Sequence, residues 1–279
     1  MEPSNSNPPG IVFRHEVVIP DAARRGMVTI GTGQSSRVVR MGEWAVKLYK
    51  PTAVFHGLVE RLVYERLGLH PYILRCFGAS LEETVLGPDG ALMLEYHPLG
   101  TLEENLEYLT LMPGWPLEAT NAIGYIHSKG IIHCDIGCHN FLVTDTRNLV
   151  LADFGGSRFC GSFSYVRPRP RYTAPSFLEN DTTDEPTVKD DLFALGTVLY
   201  EISSGRPLNR RFTDAQIRAR FLARDFPAMD TDVFGLADVV GSCWREEYRN
   251  AEEVENDLAK TGASWRFPSP DIPLYRAFP

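Results

Sequence analysis

Long apolar runs are missing from this sequence. The longest nearly apolar stretch, Leu192 to Ile202, is 11 residues, short of the ~20 that a bilayer-spanning helix needs, so no membrane span is expected. Excess positive charge is missing too. Lysine and arginine number 28 against 36 aspartates and glutamates, a net −8, which removes the electrostatic footprint of a nucleic-acid coat and leaves nucleic acid out of the expected partners. Cysteine is scarce: Cys76, Cys134, Cys138, Cys160 and Cys243 are odd in number and scattered. That pattern excludes a disulfide framework and suits free thiols in a reducing compartment, cytoplasm or nucleus. The first ten residues are rich in Pro, Asn and Ser without a basic-then-apolar signal pattern, and no internal repeat is visible.

What remains is an ordinary globular composition over 279 residues, 43% hydrophobic and 23% charged, enough for one large domain or a two-lobed unit. Strand-like alternation covers Met27 to Ile30, Arg37 to Met41 and Trp44 to Tyr49, with a tight Gly42-Glu43 turn between the last two. Helical spacing runs from about Ala53 to Leu67 and stops at Gly68. Two further strands are expected at Ile73 to Gly78 and Ala91 to Tyr96. Beyond Gly100 the pattern is mostly helical, interrupted at Met112-Pro113-Gly114-Trp115-Pro116. A helix restarts near Leu117, short strands fit Phe141 to Val143 and Leu149 to Leu151, and helices fit Asp191 to Ser203, Thr213 to Arg224, Val233 to Trp244 and Ala251 to Lys260. The expected class is α+β: an irregular lead-in over 1–25 with one edge strand at Glu16 to Ile19, a β-rich lobe over 26–96, a helical lobe over 97–261 and a Pro-rich tail over 262–279. Two such cores favour a cleft between them.

Three segments carry chemistry. In Ile30-Gly31-Thr32-Gly33-Gln34-Ser35-Ser36-Arg37-Val38, glycines let backbone amides approach phosphate oxygens and Val38 can cover a flat base, although a plain hairpin fits equally. Lys47, in Trp44-Ala45-Val46-Lys47, lies on a strand face opposite Val46 and Leu48. A buried lysine needs an anion, and Glu60 on the following helix is preferred to Glu65 because Glu60 and Tyr64 share one face. The third segment is His133-Cys134-Asp135-Ile136-Gly137-Cys138-His139-Asn140-Phe141-Leu142, followed by Leu151-Ala152-Asp153-Phe154-Gly155. Asp135, Asn140 and Asp153 supply oxygens that can accept a hydroxyl proton and hold a hard cation. A zinc site at His133, Cys134, Cys138 and His139 is a rival, but it lacks loop-closing spacing.

In their order along the chain these segments resemble a eukaryotic protein kinase domain, over roughly Val28 to Lys260. Ala174-Pro175 resembles the end of the activation segment, and Asp191-Leu192-Phe193-Ala194-Leu195-Gly196 the helix that anchors the catalytic loop. Cys243-Trp244 with Arg249 resembles the late helical motif of tyrosine-kinase-like members, and the His-Cys-Asp-Ile loop a kinase-like group common in fungi. The resemblance implies a two-lobed fold, ATP and Mg²⁺ as cofactors and a protein substrate. It makes Asp135 the catalytic base, Asn140 and Asp153 the Mg²⁺ ligands, and Lys47, held by Glu60, the group on the α/β-phosphates. It places Ile30, Gly31, Gly33 and Val38 over the nucleotide, Leu94 as gatekeeper, Glu95 to His97 at the hinge, and Ala45 and Leu142 as walls around adenine. His133, Phe154 and Tyr64 would stack into a core tying the lobes.

The pattern breaks in places. Cys134 stands where the family usually has Arg, so activation by loop phosphorylation is disfavoured. Gly137 stands where serine/threonine kinases have Lys, and His139 where tyrosine kinases have Arg. Ser176 replaces the Glu expected to pair with Arg249, leaving that arginine to solvent or to a carboxylate such as Glu179. The interval from Thr101 to His127 is lean, leaving helix only from about Leu117 to Lys129, or ~20 Å; either the helix is truncated or a segment is missing. The expected function is ATP-dependent transfer of the γ-phosphoryl group to a protein Ser/Thr or Tyr hydroxyl. The alternatives are a pseudokinase acting as a nucleotide-binding or interaction module, and a small-molecule phosphotransferase of the aminoglycoside or choline type.

Overall fold

The computed structural model describes residues 27–80, 91–107, 112–159, 161, 164, 166–179, 185–230 and 232–261. The expected lead-in with its edge strand and the Pro-rich tail lie outside these residues. The described residues form two compact units, one holding those up to 57 together with 76–96, the other 58–75 and those from 97 onward.

The first unit is built on an antiparallel sheet of β1 (Val28–Thr32), β2 (Ser36–Met41), β3 (Trp44–Tyr49), β4 (Cys76–Ser80) and β5 (Ala91–Glu95), in the order β1-β2-β3-β5-β4. Gly42 turns β2 into β3 at φ +63°, a conformation glycine reaches without a Cβ penalty. Because strand side chains alternate, the register sorts them into two faces. Val39, Met41, Val46, Leu48, Ala91 and Met93 form one buried cluster, flanked by Met27, Trp44 and Phe77. The opposite face carries Val38, Lys47 and Leu92 in cross-strand register, with Ala45 paired to Leu94 beside them.

The division between the units falls inside α1 (Val54–Leu67), which Gly68 ends at φ +64°. The second unit continues with α2 (Leu102–Asn105), α3 (Trp115–Ser128), β6 (Ile131–Ile132), β7 (Phe141–Val143), β8 (Leu149–Leu151), β9 (Arg158–Phe159), α4 (Pro175–Glu179), α5 (Val188–Ser204), α6 (Asp214–Leu222), α7 (Ala237–Trp244) and α8 (Ala251–Lys260). Strands β6 and β9 pair, as do β7 and β8. The core lies around α3 and α5, where Ile123, Ile126, Phe193, Leu195, Val198, Leu199 and Ile202 are fully buried. Among the described residues no helix is long and apolar enough to cross a membrane.

Four element starts differ from the sequence expectation by two residues or more, each for a local reason. Strand β4 begins at Cys76 because Ile73 and Leu74 are drawn to β8: Ile73 bridges Leu151, and the Leu74 amide donates to the Leu151 carbonyl at 2.9 Å. Helix α3 begins two residues early, since Pro116 sits in the first turn, where a missing N–H costs no helical bond. Helix α5 begins at Val188 because Asp190 Oδ2 accepts from the Thr187 amide and hydroxyl, both at 2.7 Å, and fixes the chain entry. Helix α7 begins only at Ala237, where the Asp232 carboxylate accepts from the amides of Leu236 and Ala237 at 2.7 and 2.9 Å.

Candidate active site

The loop between β6 and β7 holds the strongest sequence signal, and its geometry is set from below by one side chain. Asp191, buried near the start of α5, accepts from the His133 amide at 2.8 Å and the Cys134 amide at 3.0 Å. Its Oδ2 also meets His127 Nε2, near the end of α3, at 2.9 Å. These bonds satisfy amides that the loop buries, and they hold Cys134 at φ +67°, a left-handed conformation uncommon for a side-chain-bearing residue. His133 is locked as well, with Nε2 at 3.0 Å from the Ala152 carbonyl and Nδ1 accepting from the Asp135 amide at 3.3 Å. The Phe154 ring lies 5.1 Å from His133 and 5.2 Å, edge-on, from Tyr64 of α1. The three rings expected to stack instead meet edge-on and tilted about Phe154, all within the second unit.

On this base the reactive groups converge. Asn140 donates from Nδ2 to the Asp135 carbonyl at 2.7 Å and to Asp135 Oδ2 at 3.2 Å. Both amide hydrogens are thereby used, so Oδ1 is the atom left to face a cation. The Asn140 carbonyl accepts from the Ala152 amide at 2.9 Å, and Phe141 pairs with Leu151, which sets Asp153 just beyond the open end of the β7–β8 hairpin. Asp153 is exposed and left-handed at φ +63°. A carboxylate and an amide oxygen on adjoining backbone suit an oxygen-preferring divalent ion such as Mg²⁺. The zinc alternative finds no support: among the described residues no group of three or more His, Cys, Asp or Glu side chains is arranged to hold a metal.

The Cys134 side chain is 2% exposed, and burial first, then the neighbouring Asp191, pushes its thiol up to about 12. It stays protonated and contributes no charge where the family has a cation. Gly137 lies against the His139 and Tyr172 rings. Tyr172 is itself fixed, donating to Glu201 Oε2 of α5 at 2.6 Å and accepting from the Cys138 amide at 3.3 Å. Burial raises the pKa of both Tyr172 and Glu201, which suits a proton retained between them. Sequence reasoning missed this pair, because 29 residues of chain separate them. Arg249 does not reach Glu179; it pairs with Glu253 at 2.6 Å, while Glu179 lies 3.7 Å from Arg224.

In the first unit, Lys47 is 4% exposed, with Nζ 5.7 Å above the Tyr49 ring. Ala45 and Leu94 are buried beside it on the same sheet face, and Val38 and Glu95 are half-buried. Gly31 lies opposite Val38, Ile30 is exposed, and the Gly33 amide donates to the Ser36 carbonyl at 2.8 Å. Lys50, which sequence reasoning passed over, donates from Nζ to the Gly33 carbonyl at 2.8 Å. In the second unit, Leu142 on β7 is half-buried, and so is His97, two residues after the end of β5. Of the two carboxylates weighed as the anion for a buried lysine, Glu60 is fully buried and Glu65 is exposed.

This chain is similar to a probable serine/threonine-protein kinase of Dictyostelium discoideum, 27% identical over 188 residues, which are 63% of this chain and 14% of that protein. It is 37% identical over 134 residues to the serine/threonine-protein kinase RUNKEL of Arabidopsis thaliana, covering 44% of this chain and 10% of that one. With the serine/threonine-protein kinase PknB of Mycobacterium leprae it shares 28% over 149 residues, 50% and 24% of the two chains. The matches thus span no more than a quarter of these relatives. The protein kinase domain pattern matches residues 25–258, and with a β-sheet N-terminal region, a helical C-terminal region and an anchored Asp135–Asn140 loop, the chain belongs to the protein kinase domain family.

Proposed function

We propose that this chain is an ATP-dependent protein kinase that transfers the γ-phosphoryl group to a hydroxyl of a protein substrate. The observation that carries the reading is the fixed Asp135: its carboxylate is bound by Asn140 in a loop that Asp191 holds through two backbone amides. A carboxylate so placed accepts the proton of an attacking hydroxyl, and positioning of this kind accounts for most of the catalysis in phosphoryl transfer. Asn140 Oδ1 and the Asp153 carboxylate are the groups that would hold Mg²⁺, which supplies charge neutralisation on the phosphates when bound. Lys47 is assigned to the α/β-phosphates. Ile30, Gly31, Gly33, Val38, Ala45, Glu95, His97 and Leu142 are assigned to the nucleotide, with Glu60 supporting Lys47. The names of the matched relatives support serine or threonine as the acceptor. The free thiols of Cys134, Cys138 and Cys243, all buried, support an intracellular, reducing setting.

Mg²⁺-dependent phosphorylation of protein, read by radiolabel transfer, is expected for the wild type and lost in Asp135→Asn and in Lys47→Met. Full transfer by both variants would sink the assignment. A wild type that binds nucleotide without transferring phosphate would point instead to a pseudokinase.

A further inference from the structure

We infer that His139 is a positioning residue for Asp135, and that the vacancy beside Gly137 is the slot that seats it. The inference rests on the phosphotransfer reading above and names a residue that this reading leaves without a role.

The imidazole sits at 3.5 Å, Nε2 to Asp135 Oδ2, on the same carboxylate oxygen that Asn140 Nδ2 reaches at 3.2 Å. The side chain is 11% exposed and packs against Tyr172 with ring centroids 5.6 Å apart. Tyr172 cannot yield easily, because Glu201 and the Cys138 amide hold its hydroxyl. The other ring nitrogen, Nδ1, is buried and has no hydrogen-bond partner among the described residues. The contact to Asp135 is therefore the polar interaction that orients the ring, with Nε2–H donating to the carboxylate.

Gly137 is what makes room. A Cβ at this position would lie 2.5 Å from His139 Cε1, 2.6 Å from His139 Nδ1 and 2.9 Å from Tyr172 Cε2. Real Cβ atoms do not approach so closely, so any other residue drives the imidazole out of its seat. Gly137 needs no unusual backbone angle to explain it, since its φ is not positive. Its role is the absence of a side chain. Two donors, Asn140 and His139, then hold Asp135 Oδ2 from different directions and leave its other oxygen to take the substrate proton.

A double-mutant cycle on the whole chain tests this. His139→Phe keeps a ring against Tyr172 without a donor, and it is expected to lower kcat about tenfold, the size of one hydrogen bond to a charged group, with KM for ATP unchanged. His139→Gln keeps an N–H donor and is expected to stay within about threefold of wild type. Gly137→Ala alone is expected to match His139→Phe, and Gly137→Ala with His139→Phe to fall no further, because both remove one interaction. Losses that multiply, or a His139→Gln variant as impaired as His139→Phe, overturn the inference. The seat itself is read apart from turnover, by the nuclear Overhauser contact between the His139 and Tyr172 rings, expected in wild type and absent in Gly137→Ala. Persistence of that contact in Gly137→Ala overturns the slot even if the wild type transfers no phosphate, whereas absence of transfer in the wild type counts against the kinase reading.

Discussion

At the scale of single residues, this protein departs from its family where charge is concerned and conforms where anchoring is concerned. Cys134 brings no cation: its buried thiol stays protonated and neutral. Asp191, by contrast, does the work of three bonds, so Asp191→Ala leaves the buried amides of His133 and Cys134 unpaired. A loss of roughly 2–6 kcal/mol is expected in urea unfolding, at about 1–3 kcal/mol for each orphaned amide; a change under ~0.5 kcal/mol would contradict the anchoring role. Glu118 yields a second prediction. Its carboxyl is buried in the first turn of α3 and accepts from the Leu149 amide at 2.8 Å, yet burial raises its pKa from 4.5 to about 7, the amide only partly opposing the shift. The folded chain keeps this proton up to about pH 7, while the unfolded chain releases it near 4.5. Between those values the native state binds more protons, so stability falls as pH rises and levels off above about pH 7. Relative to wild type, Glu118→Gln is expected to remove a decline of about 3 kcal/mol across that window, measured by denaturation at pH 5 and pH 8.

At the scale of elements, helices are positioned by side chains reaching across them. Helix α3 is 14 residues, about 21 Å at 1.5 Å per residue. Its start is nonetheless pinned: Trp115 is fully buried with Nε1 donating to the Arg147 carbonyl at 2.8 Å, and Glu118 holds Leu149 at the start of β8, two residues further along the hairpin. Pro113 and Pro116 therefore mark where the helix begins without shortening it further. Helices α5 and α7 meet through Gly196, where a Cβ would lie 2.5 Å from the Cys243 Cβ, and Trp244 Nε1 donates to Thr197 Oγ1 at 3.1 Å. Gly196→Ala forces these helices apart. It is expected to lower thermal stability by about 1–3 kcal/mol, the usual cost of overpacking, and a neutral result in calorimetry would show that the contact can relax.

At the scale of the whole molecule, the proposed nucleotide binding would link the assigned residues to stability. A ligand at 100 times its Kd stabilises the folded chain by about 2.7 kcal/mol. Mg²⁺ with ATP is therefore expected to raise the melting temperature by several degrees, more than ATP alone, and Asp153→Ala should lose the Mg²⁺ increment while keeping the rest. A shift indifferent to Mg²⁺ in the wild type would remove Asp153 and Asn140 from the metal assignment. Much of this was legible in the amino-acid order. Alternation and periodicity located the sheet strands and the long helices, because a strand or helix face is a local property of neighbouring side chains. The family followed from motifs whose residue types the expected chemistry restricts: Lys47, Asp135, Asn140 and Asp153, in that order. What tertiary structure decided lies where partners are distant in sequence. Tyr172 found Glu201, 29 residues on, and Asp191 came under the His133–Cys134 turn, whereas Arg249 took its neighbour Glu253, four residues on, and not Glu179. Gly137 shows the difference most sharply. In the sequence it reads as a missing lysine, a deficit of charge; in the fold it is space, which an imidazole occupies beside Asp135. Charge can be counted along a chain, but a vacancy exists only once the rings that border it have been brought together.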